Sequence, residues 1–190
     1  MRSLRTPLSE EDVRSLRAGD VVYLSGVVVT ARDQAHRRAL EIARSGRSLP
    51  VDLRGGAVYH CGPIARREGG EWRVYGFGPT TSARMEPVEA EFIERFGVRM
   101  VIGKGGMFER TEEAARRFGA VYAAFPGGAS VLAVKSVRRV LEVHWLDLGM
   151  PEAMWVVEVE DLGPLVVAID AHGRNLYREV MDRARRAAGL

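Results

Sequence analysis

Gly78-Pro79-Thr80-Thr81-Ser82-Ala83-Arg84-Met85 packs a tight turn, three hydroxyls and a guanidinium into eight residues with almost no core-forming bulk. Two other segments share that character, Thr30-Ala31-Arg32-Asp33-Gln34-Ala35-His36 and Ile102-Gly103-Lys104-Gly105-Gly106, each following an apolar run. Each sets one cation beside small or polar residues where a strand is expected to end. Three cations delivered separately from strand ends suit a small dianion such as a dicarboxylate, because each carboxylate can be paired and hydrogen-bonded in a pre-formed site.

Plainer readings stand beside this one. Thr80, Thr81 and Ser82 suit a Pro-initiated turn and helix cap, and Arg84 and Arg32 suit surface ion pairs in an arginine-rich chain. Asp33 fits an N-cap, with His36 hydrogen-bonding at the same helix end. The Lys104 loop lacks the spacing and the Ser or Thr of a Walker loop, which argues against nucleotide binding. His60 and Cys61 read as buried structural residues, His144 and His172 as structural or exposed, and Trp145 and Trp155 as core or subunit-interface residues. No metal ligand is expected from this chain.

The elements that must position the three loops are legible as alternating apolar runs and helical segments. Ser9 with Asp12 suits a capping box opening a helix to about Leu16. Strands are expected over 21–30, with a bulge or hairpin turn at Ser25-Gly26, and over 57–61, 72–77, 98–102 and 120–124. Later ones are expected over 137–146, 153–159 and 165–170. Residues 66–71 read as a hairpin tip, and Gly163-Pro164 as a turn between two strands. Helices are expected over 33–45, 89–96, 110–118, 129–134 and 176–188, the last with a solvated basic face. This is an α/β chain with more strands than helices, so a mixed sheet, or two sheets with helices covering one side, fits better than a doubly wound sheet.

The 190 residues suit a single domain, 1–190. Lys and Arg number 28 against 25 Asp and Glu, a net charge of +3, which gives little support to nucleic-acid binding. Lysine occurs only at Lys104 and Lys135, so a lysine kept in a Gly-rich loop stands out. The single cysteine, Cys61, excludes an internal disulfide and any cluster built from this chain's thiolates alone. Apolar runs fall far short of the ~20 residues of a membrane span, so a soluble, cytoplasmic protein is expected.

These segments resemble the β subunit, or C-terminal region, of the iron-sulfur-dependent class I fumarate hydratases and L-tartrate dehydratases. The resemblance runs over nearly the whole chain through Gly19-Asp20, Tyr23 to Gly26, Thr30 to His36, Gly62-Pro63, Gly78 to Met85, Gly103 to Gly105, Gly127 to Ala129 and Glu152 to Trp155. It implies a swivelling β/β/α three-layer domain and reversible hydration of a double bond conjugated to carboxylates, fumarate with L-malate first and tartrate to oxaloacetate as the alternative. A stand-alone dicarboxylate-binding module is the rival from another class. The resemblance further implies a [4Fe-4S] cluster ligated by three cysteines of an α subunit, hence an obligate partner, in an α2β2 or homodimeric assembly. Thr80 matches the base that removes the carbon-bound proton, with Thr81 as the spare candidate. Arg32, Arg84 and Lys104 match substrate-carboxylate ligands, and Asp33, His36, Thr81 and Ser82 take supporting roles.

Overall fold

The computed structural model describes residues 2–189. Its elements are β1 (Arg2–Arg5), α1 (Glu10–Arg14), β2 (Val21–Thr30), α2 (Asp33–Arg44), β3 (Ala57–Tyr59), β4 (Ile64–Glu68), β5 (Glu71–Gly76), α3 (Glu86–Phe96), β6 (Met100–Gly103), α4 (Glu109–Phe118), β7 (Val121–Ala124), α5 (Ser130–Ser136), β8 (Val137–His144), β9 (Met154–Ile169) and α6 (Leu176–Ala187). Ser9 caps α1 in the expected capping box with Asp12.

Strands β2, β3, β6 and β7 run parallel in that order, and β9 lies antiparallel to both β7 and β2, closing the sheet into a barrel-like ring. Strand alternation divides the core into two clusters, because successive side chains leave opposite faces. Ala57, Tyr59, Met100, Ile102, Val121 and Ala123 enter one cluster, and Val58, Val101 and Tyr122 enter the other. Helices α2, α3 and α4 cover the second cluster with Ala35, Ala39, Leu40, Phe92, Ile93, Ala114 and Ala115. The β4–β5 hairpin and α5 close over the first through Ala65, Val74 and Ala133. A hairpin layer, a sheet and a helical layer on one side make the expected swivelling β/β/α arrangement.

Two expectations need correction. The hairpin that turns at Gly69-Gly70 pairs β5 with β4, not with β3. The two strands expected around Gly163-Pro164 are one 16-residue strand. Pro164 falls at a register shift of the β2–β9 ladder, where a missing N–H costs no regular pairing. At Ser25-Gly26 the bulge holds of the two readings: the interruption is a register irregularity within β2. Strand β1, pairing alongside β2, carries too little alternation to be read from sequence. Among the described residues no helix is long and apolar enough to cross a membrane.

Register places the site. Thr30, Tyr59, Ile102 and Ala123 stand side by side across β2, β3, β6 and β7, so the residues that follow them emerge at one edge. In open parallel sheets that carboxyl-terminal edge is where ligands bind.

Candidate active site

The Thr80 turn is pinned to two strand ends by its backbone. Thr80 N–H donates to His60 O at 2.6 Å, Ser82 N–H donates to Lys104 O at 3.0 Å, and Lys104 N–H donates to Thr80 O at 3.3 Å. The Thr80 and Lys104 loops are thereby one backbone unit.

Arg84 stands over this turn. Its Nη2 donates to Thr80 Oγ1 at 2.8 Å and to Asp33 Oδ2 at 3.0 Å. A guanidinium donating to a threonine oxygen favours the alkoxide, which is the activation a hydroxyl needs before it can act as a base. Asp33 therefore orients the arginine, and the N-cap reading does not hold: the N-cap of α2 is Arg32, with no side-chain cap bond. The helix end is satisfied from another loop instead, since Glu152 Oε2 accepts from Gln34 N–H at 2.9 Å.

Arg32 is half-buried, with Nε 3.2 Å from Glu152 Oε1. Its guanidinium lies so close to Gly62 that a Cβ there would come within 2.7 Å of Nη1. Lys104 lies against Gly127, where a Cβ would sit 3.1 Å from its Cδ. Thr81 is exposed, and its structural contact is the backbone bridge to Lys104. Ser82 is buried and faces inward, away from this surface.

Underneath, the supporting candidates His36 and Ser82 meet three residues that sequence reasoning did not assign to the site, Glu89, His60 and Tyr122. His36 Nδ1 contacts Arg32 O at 3.0 Å, and His36 Nε2 stands 3.3 Å from Glu89 Oε2. The same carboxylate oxygen is 3.0 Å from His60 Nε2, and His60 Nδ1 is 2.9 Å from Ser82 Oγ. Tyr122 O–H reaches Ser82 Oγ at 3.1 Å and Gly105 O at 2.7 Å. Burial alone would raise the Glu89 carboxyl, but the two imidazoles outweigh it and hold the group down at about 2. Burial pulls both histidines down; at His36 the Glu89 carboxylate overcomes it and the net direction is up, whereas at His60 burial wins. His36, His60 and Glu89 also have the donor types and spacing that a divalent metal would accept. Cys61 is fully buried and its thiol is pushed up, so it lacks thiolate character.

The family model described as Fumarase C-terminus matches residues 2–180. The chain is 51% identical over 176 residues to the L(+)-tartrate dehydratase subunit beta of Escherichia coli K12, covering 93% of this chain and 86% of that protein. It is 47% identical over 174 residues to a protein of Methanocaldococcus jannaschii provisionally given the same name, covering 91% and 89%. It is 40% identical over 179 residues to a protein of Geobacillus stearothermophilus provisionally named fumarate hydratase class I, covering 94% of this chain and 34% of that one. A sheet edge that gathers the Thr80 turn, Arg32 and Lys104, matched along almost its full length, places the chain in the fumarase C-terminal family.

Proposed function

We propose that this chain is the β subunit of a hydro-lyase that removes water from a hydroxylated four-carbon dicarboxylate, with L(+)-tartrate to oxaloacetate as the leading reaction. Fumarate and L-malate, ranked first from sequence, come second. The 51% relative named for tartrate dehydratase favours this order over the 40% relative named for fumarate hydratase. The observation that carries the reading is Thr80 Oγ1 under the Arg84 guanidinium, itself anchored by Asp33.

Arg32 and Lys104 pair the substrate carboxylates, while Arg84, which the resemblance gave as a third carboxylate ligand, is assigned to stabilising Thr80 as the proton acceptor. Thr80 Oγ1 takes the proton from the carbon beside one carboxylate. The released electron pair forms the carbon-carbon double bond as the hydroxyl on the neighbouring carbon departs as hydroxide, which becomes water with the proton that Thr80 then gives up. Tartrate gives an enol that tautomerises to oxaloacetate; malate gives fumarate directly. Lewis acidity toward the departing hydroxyl would come from a [4Fe-4S] cluster, whose ligation does not fit one buried thiol with no thiolate character. The cluster belongs to the α subunit in this reading, and the chain alone is inactive.

Anaerobic co-expression with a cysteine-bearing α subunit, followed by cluster reconstitution, tests it. Oxaloacetate formed from L-tartrate only when both chains are present supports the leading reading, and fumarate from L-malate alone supports the second. Failure to bind any such subunit points to a stand-alone dicarboxylate-binding module.

A further inference from the structure

One line of polar groups runs beneath all three loops. From Arg32 O it passes through His36, Glu89, His60, Ser82 and Tyr122 to Gly105 O, with successive atoms 2.7 to 3.3 Å apart. His36, His60, Ser82 and Glu89 are all fully buried. Among the described residues, the buried side-chain atoms without an aligned hydrogen bond are Nε2 of both histidines, both oxygens of Glu89, and Arg32 Nε.

Packing does not require such a cluster. Filling the same space with apolar residues is commonly neutral or stabilising, whereas buried polar groups are costly unless fully paired. The rest of this face of α3 is apolar, with Phe92 and Ile93, and Phe92 packs on the His36 ring at 4.2 Å. The cluster instead sits where the cation-bearing loops leave the sheet, and it touches each of them. Gly103 is required by it, since a Cβ there would lie 1.8 Å from Ser82 Oγ and 3.1 Å from His60 Nδ1.

We propose that Glu89, His36 and His60 are positioning residues that fix the spacing between the Arg32, Thr80 and Lys104 loops, with Ser82 and Tyr122 extending the bridge to the third. Proton placement follows from the partners. Arg32 O only accepts, so His36 Nδ1 carries a proton, and with Nε2 facing a carboxylate the ring is an imidazolium. With Nε2 facing Glu89, His60 stays neutral and accepts at Nδ1 from Ser82 O–H, while Tyr122 O–H is shared between Ser82 Oγ and Gly105 O. Arg32 and Asp33 are the other charged groups nearby, both at the start of α2.

The kinetic arm of the test rests on the proposed function; a spectroscopic arm does not. In the assembled complex, Glu89→Ala is expected to lower kcat about 10- to 100-fold and to raise KM, because small misplacement of catalytic groups has effects of that order. Glu89→Gln should restore both to within about threefold, since an amide NH2 in the place of the shared oxygen can donate one N–H to Nε2 of each neutral imidazole and keep the bridge. Tyr122→Phe, which removes only the last link, should raise KM more than it lowers kcat, and it stands in if Glu89→Ala does not fold. A lowered melting temperature with unchanged kcat and KM would overturn the proposal. So would one tightly bound zinc per wild-type chain, lost equally in Glu89→Ala and Glu89→Gln, because a metal would then occupy the place of the shared proton. If the wild-type complex turns over neither tartrate nor malate, the functional reading fails and nitrogen-15 histidine spectra of the full chain decide alone. A doubly protonated His36 that becomes neutral in Glu89→Gln is expected; a neutral His36 in both proteins would overturn the proposal.

Discussion

Glu86 and Glu89 lie one turn apart on α3, both buried, and their surroundings are opposite. Glu86 accepts from Phe108 N–H at 2.8 Å, Arg110 N–H at 3.0 Å, Thr111 N–H at 3.2 Å and Thr111 Oγ1 at 2.7 Å, so every lone pair meets a donor at the start of α4. Glu89 has no aligned hydrogen bond and sits between two imidazoles. The first carboxylate caps a helix from outside it, a task of stability. The second bridges two loops that carry candidate site residues. Burial of a charge therefore has two uses here, and only the partners tell them apart.

Breaking the fully satisfied member should give the largest stability effect. Glu86→Ala strands both buried donors of Thr111 at roughly 1–3 kcal/mol each and two half-buried N–H groups besides, so a destabilisation of about 3–5 kcal/mol is expected in denaturant melts. The kcat of the complex that still assembles should stay near wild type. Gly103→Ala tests the other member. Overpacking of this kind costs about 1–3 kcal/mol, yet displacing Ser82 and His60 should lower kcat by more than the loss of folded protein explains.

A smaller effect sharpens the contrast through pH. Glu89 is held at about 2 against an ordinary 4.5, so its contribution to stability is complete above 4.5 and is lost as pH falls toward 2. His36 has the opposite sign: its raised value adds stability that is complete below 6.5 and is lost as pH rises through the folded value. Glu89→Gln should flatten the acid limb of a stability-against-pH curve, and a limb as steep as wild type would place the responsible carboxylate elsewhere.

The three loops were legible because glycine, a hydroxyl or a cation follows an apolar run in each, and parallel register then brings the runs level. The capping box and the helix stops at Gly97 and Gly119, both left-handed at φ 62° and 68°, were legible for equally local reasons. Long-range pairing was not. Nothing near Asp33 in sequence announces Arg84 as its partner, and the first-turn position of an acid reads equally well as a cap. Glu89 entered only as the first residue of the helix expected over 89–96, although a signal existed. Met85, Glu89, Phe92, Ile93 and Phe96 share one helical face by their spacing, so a carboxylate on that apolar stripe needed a buried partner. His60 was read as buried and structural; it is buried, and the polar line through it could not be seen without β6 and β7 alongside.

In the proposed reaction Thr80, held by Arg84 over this network, is the base. That assignment is tested most directly by the kcat of Thr80→Ala beside that of Thr81→Ala in the reconstituted complex on L-tartrate. Loss of a positioned base costs about 10²- to 10⁴-fold, so Thr80→Ala should fall by that amount with little change in KM, while Thr81→Ala, whose side chain is exposed, stays near wild type. A Thr80→Ala complex that keeps its kcat, or a Thr81→Ala complex that loses it, would contradict the account.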